Sequence, residues 1–163
     1  TGDVGARKKT NNQWFETQDS ISYWDDFSKQ KIMYPNMTKF LPFYLDENGF
    51  MQNDKSFMIT GQYLYFLTAF LNSSLFKFCF IDNFPELQGG TRELRKIFLD
   101  KIPVITVDEF QNNKFKDMVL SCQDLTSNGI SSKDVERKID EAIFDLYSLT
   151  EEEKQIIGFI EIQ

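Results

Sequence analysis

Apolar and polar positions along this 163-residue chain change period several times, and each change marks an element. Residues 31–34 read as a strand stopped by Pro35, which has no amide to give to a ladder. Phe43-Tyr44-Leu45 and Phe50-Met51-Gln52 flank Asp46-Glu47-Asn48-Gly49. That pattern predicts a hairpin, because Asn-Gly supplies the positive φ of a tight turn. Residues 56–60 read as a further strand ended by Gly61. From 62 to 80 the period lengthens. Leu64, Leu67, Phe70 or Leu71, Leu75, Phe78 and Cys79 recur at three- and four-residue steps, the spacing of a helix with one broad buried face. Asn72-Ser73-Ser74 predicts a break within it, since these side chains compete for backbone bonds.

Residues 1–12 are polar, lack a period and read as a linker. The aromatic-rich stretch from Trp14 predicts a short helix ending near Phe27. Residues 82–91 read as a loop, 92–99 as a short helical piece and 102–105 as an edge strand. Beyond Val107 the pattern is helical throughout. Residues 115–125 are amphipathic, and Ser127-Asn128-Gly129 interrupts them. Ser131 or Ser132 then caps a long helix with Val135, Ile139, Ala142, Ile143 and Leu146 on one face. Thr150 with Glu153 three residues on forms a capping box. It opens a last helix whose apolar face is Ile156, Ile157, Phe159 and Ile160. The expected fold class is α+β: a compact mixed α/β body over 13–107 with short strands and a hairpin, then a helical appendage, 108–163, packing on it.

Composition narrows the chemistry. A hydrophobic fraction of 41% with 15% aromatics suffices for one core. Cys79 and Cys122 lack metal-ligand spacing, and the start lacks the pattern of a secretory signal. The expectation is a cytoplasmic protein with reduced thiols. No apolar run approaches the ~18 residues that span a bilayer, so no membrane is expected as a partner. Histidine is absent, which removes the commonest general base and most zinc sites. Gly89-Gly90 has no third glycine to make a nucleotide loop. No catalysis, cofactor or metal is therefore expected of this chain itself. Its charge is uneven: residues 1–107 hold 12 basic and 12 acidic residues, while residues 108–163 hold 6 and 13 and carry the whole net charge of −7.

Several short segments, taken together, carry a resemblance. They are Trp14-Phe15-Glu16, Lys31-Ile32-Met33-Tyr34-Pro35, Leu71-Asn72-Ser73-Ser74-Leu75-Phe76, the stretch from Gly89 to Lys96, and Lys101-Ile102-Pro103-Val104. Ile139-Asp140, Leu146-Tyr147 and Leu149-Thr150-Glu151-Glu152-Glu153 follow. In this order and spacing, over about residues 10–160, the chain resembles the TaqI-like C-terminal specificity domain. That family is the target-recognition domain of adenine-specific DNA methyltransferases and fused restriction–modification enzymes. The resemblance implies double-stranded DNA as partner, together with a catalytic methyltransferase domain of the same polypeptide. S-adenosylmethionine, with magnesium where a nuclease is fused, would belong to that parent. The Asn-Pro-Pro-aromatic tetrapeptide that holds a flipped adenine is absent from this chain.

Reading DNA needs cations and amides for phosphates, and Arg, Lys, Asn or Gln for base edges. The foremost candidate is the segment 88–96. Gln88 offers an amide for an adenine edge, Gly90 allows close backbone approach, Thr91 has a hydroxyl, and Arg92, Arg95 and Lys96 are cations. Asn36, Thr38 and Lys39 after Pro35 form the second group, with Lys31 at the strand start and Asn53 and Lys55 beside the hairpin. Arg7, Lys8 and Lys9 form a basic triplet in the linker. Two other readings stand beside this one: half of a type I restriction specificity subunit, and an acidic helical protein-interaction module.

Overall fold

In the computed structural model, which describes residues 11–13, 15–16 and 22–159, the strands are short. They are β1 (Lys31–Pro35), β2 (Met37–Thr38), β3 (Tyr44–Asp46), β4 (Ser56–Ile59) and β5 (Arg92–Glu93). The helices are α1 (Leu64–Asn72), α2 (Ser74–Asn83), α3 (Lys96–Leu99), α4 (Glu109–Ser127), α5 (Lys133–Leu146) and α6 (Glu151–Ile157). The α+β class is as the sequence implies. Trp14, Ile160 and the basic triplet at 7–9 lie outside the described residues.

β1 is the centre of a three-stranded antiparallel sheet, with β3 on one side and β4 on the other. Ile32 faces Leu45 and Ile59 across the two ladders, and Pro35 closes the strand opposite Ser56. The predicted hairpin is corrected here. β3 pairs with β1, and residues 50–52 form no strand. The cause is Asp46, whose carboxylate takes the amides of Asn48 and Phe50, each at 2.8 Å, and turns the chain away after Gly49 at φ 75°. Residues 102–105 are irregular rather than an edge strand, and residues 92–93 belong to β5 rather than to a helix. A 3-10 turn at Trp24–Ser28 stands where the first short helix was expected to end.

The helix break came where Asn72-Ser73-Ser74 predicted it. Ser73 ends α1 and caps α2, its hydroxyl accepting from the Phe76 amide at 3.2 Å. Phe76, fully buried, then sits among the rings of Phe43, Phe70, Phe80 and Phe84 at 5.7–6.3 Å. Centroid separations of this size are those of favourable edge-to-face and offset pairs. Here the phenylalanine-rich composition becomes one aromatic core.

α4 starts earlier than the apolar pattern suggested, because Asp108 and Gln111 form a capping box. Its buried Phe115 and Val119, with Ile139 and Ile143 of α5, belong to the same core as the strands. Polar side chains of these helices also complete the first part of the chain. Asn112 accepts the Phe66 amide at 3.1 Å, satisfying an orphan donor of α1, whose own N-terminus lacks a side-chain cap. Asp140 accepts the Ser74 amide at 2.7 Å and the Ser74 hydroxyl. The amide of Gln123 bonds both backbone groups of Leu45, and Asn72 does the same for Phe43.

Burial pushes the Asp140 carboxyl above its ordinary value, and the two Ser74 bonds offset only part of that. The folded state thus holds the Asp140 proton more tightly than the unfolded state does. Its contribution to stability is present below the ordinary carboxylate pKa and is lost as pH rises through the higher native value. Asp140→Asn keeps an acceptor for Ser74, so it is expected to shift stability by about 1 kcal/mol or less while removing this falling slope. Thermal unfolding from about pH 4 to about pH 7 checks it; an unchanged slope in the variant would assign the dependence to another group.

Candidate nucleic-acid interface

The strand pairing at one end of the molecule gathers most of the candidate readers. β2 and β5 pair with Thr38 opposite Arg92 and Met37 opposite Glu93. Glu86 bridges Arg92 from the other side, and the Leu87 amide donates to the Thr91 carbonyl at 2.7 Å. The result is a short ribbon whose tip is Gln88-Gly89-Gly90. Gly89 and Gly90 take φ of 76° and 78°, a pair of left-handed positions that residues with a Cβ rarely adopt. The Thr91 hydroxyl donates back to the Gln88 carbonyl at 3.0 Å and fixes the tip. Asn36 ties the ribbon to the main sheet, its carbonyl accepting from Leu94 at 2.8 Å and its amide donating to Lys55 at 2.9 Å.

Residues directly opposite one another in a ladder share a face. Thr38, Arg92 and Glu86 lie on one side of the ribbon, and Met37, Glu93, Leu87 and Thr91 on the other. The Arg92 side turns inward. Its guanidinium donates to the Phe84 carbonyl, lies 5.7 Å from the Phe80 ring and pairs with Glu86 at 3.4 Å. With 15% of its side chain exposed, Arg92 braces the ribbon against α2. The expectation that Arg92 is a cation offered to DNA is corrected accordingly: its guanidinium is spent inside the fold. Lys31 is corrected more completely. Its ammonium is fully buried, paired with Asp46 and donating to the Phe27 carbonyl at 2.7 Å, and it reaches no surface.

The other candidates are placed outward or at turns. Gln88 and Gly90 are exposed at the tip, and Thr91 is half-buried. Arg95 is exposed and held by Glu93 at 2.7 Å. Lys96 is exposed and held by Asp100 at 2.5 Å. Lys39 is exposed and forms no ion pair among the described residues. Lys55 is exposed beside Asp54 at 3.2 Å. Asn53 shapes the turn before it, accepting the Lys55 amide on its side chain at 3.0 Å. Thr38 bonds the Phe40 amide and carbonyl, locking the bend after β2. The Asn36 side-chain oxygen is buried without a partner among the described residues. Sequence reasoning missed Met37, 58% exposed on the outward side of the ribbon, and Lys101, an exposed cation 5.8 Å from the Phe98 ring. Met37 carried no signal, but Lys101 stood in the open within the Lys-Ile-Pro motif.

Elsewhere the chemistry is sparse. Burial raises both thiols, so Cys79 and Cys122 stay protonated at neutral pH, and it pushes the Tyr34 phenol up to about 12. No group of three or more His, Cys, Asp or Glu side chains suited to a metal comes together among the described residues. Nor is any single helix there long and apolar enough to cross a membrane. A cleft of about 470 Å³ runs between residues 40–44, α1, α4 and α5. Four of its polar side chains are committed to the fold: Asn72 and Gln123 to backbone, Asp140 to Ser74, and Glu136 to the Ser132 hydroxyl at 2.5 Å.

The profile of the TaqI-like C-terminal specificity domain matches residues 3–104, a span that holds β1 to β5 and the whole ribbon and ends before α4. None of the curated proteins compared with the chain matches it.

Proposed function

Because the chain belongs to the TaqI-like C-terminal specificity domain family, we propose that it selects the DNA site for an adenine-specific methyltransferase or fused restriction–modification enzyme, without catalysing a reaction itself. The observation that carries this is the ribbon of β2 and β5. It is narrow, it projects a glycine-made tip bearing Gln88, and it brings Lys39, Lys55, Arg95 and Lys96 into its neighbourhood. A β-ribbon is one of the shapes that the major groove of B-DNA admits. Gln88 at the tip would address a base edge, while Lys39, Lys55, Lys96 and Lys101 would sit against phosphates. Arg95 is suited to either task.

The catalytic domain of the same polypeptide would bring S-adenosylmethionine, and magnesium where a nuclease is attached. The residues of this chain would hold the duplex while that domain takes the adenine out of the stack. The excess acid of residues 108–163 favours a role for α4–α6 in bracing rather than in gripping DNA, and a cytoplasmic setting suits such an enzyme.

Fluorescence anisotropy with a short duplex tests the reading. The chain is expected to bind weakly, with a Kd in the range of about 10⁻⁴ to 10⁻⁶ M, and to weaken as salt rises. Lys39→Ala should reduce the slope of log K against log[salt] by about 1 at every sequence tested. Binding that ignores salt, or no association even at low salt, would turn the reading towards a protein-interaction module.

A further inference from the structure

The cations of the ribbon come with their own carboxylates. Arg95 is held by Glu93 at 2.7 Å, Lys96 by Asp100 at 2.5 Å, Lys55 by Asp54 at 3.2 Å and Arg92 by Glu86 at 3.4 Å. Among the described residues near the ribbon, Lys39 and Lys101 stand outside such pairs. In the Arg95 pair the acid, not the cation, is the more buried partner. The Glu93 side chain is 18% exposed and fixed in β5, while that of Arg95 is 58% exposed. The anchored acid thus holds an exposed cation at the ribbon's edge.

We propose that Glu93 and Asp100 restrain the affinity of the chain for DNA, which they do by holding Arg95 and Lys96 back from the phosphates. This inference rests on the proposed DNA-reading role. To give either cation to a phosphate, the chain must break an ion pair and leave a carboxylate beside the DNA backbone. That penalty is the same for every sequence, so the two acids lower the affinity for DNA phosphate throughout and leave the choice of site to the base-edge contacts. It also gives the charge-balanced composition of residues 1–107 a purpose that phosphate binding alone does not supply.

The test uses the full 163-residue chain and a labelled duplex of random sequence, with affinity measured across a salt series. Glu93→Gln and Asp100→Asn remove the charge and keep the shape. Each is expected to tighten binding about tenfold at low salt, the gain of roughly one phosphate contact, and to steepen the salt slope by about 0.9. Asp100 is 58% exposed, so Asp100→Asn keeps the test open should Glu93→Gln disturb β5. Wild-type binding with unchanged affinity in both variants would overturn the proposal and leave the DNA-reading role standing. Weaker binding by Glu93→Gln, with its fold intact, would also overturn it and would make Glu93 itself a base contact. An absence of salt-sensitive binding in wild type and both variants would remove the DNA reading and this inference with it.

Discussion

Replacing Lys31 by methionine is expected to destabilise the protein by about 3–5 kcal/mol, the cost of leaving one half of a buried ion pair uncompensated. Lys31 and Asp46 face each other across the first ladder, and both side chains are fully buried. The pair also organises its surroundings. The Lys31 ammonium holds the Phe27 carbonyl, and Asp46 holds the amides of Asn48 and Phe50. Burial pushes the Asp46 carboxyl up, but the ammonium and the two amides outweigh it and keep the carboxyl below its ordinary value. A depressed carboxylate contributes stability above its unfolded pKa and loses it as pH falls through the native value. The gap between wild type and Lys31→Met should therefore be widest near neutral pH and narrow in acid. Denaturant midpoints at several pH values check this. Adding Asp46→Asn to Lys31→Met should recover part of the loss, since no unpaired charge then remains inside. A single variant as stable as wild type would mean that the pair is dispensable to the fold.

Ending the chain at residue 107 is expected to abolish cooperative unfolding altogether. The profile of the family stops at 104, yet the core continues beyond it. Phe115, Val119, Ile139 and Ile143 are buried against residues of the first part. At about 1.5–3 kcal/mol for each buried side chain, the loss is roughly 6–12 kcal/mol, comparable with the whole stability of an ordinary domain. Three polar groups go as well. The Phe66 amide loses Asn112, Ser74 loses Asp140, and Leu45 loses Gln123. Circular dichroism melts and amide dispersion in NMR distinguish the outcomes. A truncated chain with a sharp transition would show that α4–α6 are an ornament on a self-sufficient body.

What could be read from residues alone followed from how local the cause was. Ser73 stops one helix and starts the next with its own hydroxyl, and Thr150 with Glu153 closes a capping box within four residues. Both were visible. The Asp108–Gln111 box is equally local, but the apolar pattern behind it drew attention to residue 115 instead. The failures have distant causes. The Asn-Gly turn promised a hairpin, but β3 had a better partner in β1, and the choice lies in the register of Lys31 with Asp46, fifteen positions apart. Lys31 looked like a surface cation because its acid partner is invisible without that register. Arg92 failed likewise, since its role depends on α2 supplying the Phe84 carbonyl and the Phe80 ring. The exposure of Gln88, Arg95 and Lys96 was legible because turn tips and short exposed segments place side chains outward without help from far away.

The amide groups of Asn72 and Gln123, seated on Phe43 and Leu45, have a consequence for assembly. They imitate the neighbour that a sheet margin otherwise seeks, and so they close that margin to a foreign backbone. Among the described residues, β4 has no strand on its far side. Growth of this sheet, whether by another polypeptide segment or by a misfolded twin, is therefore directed to the β4 side.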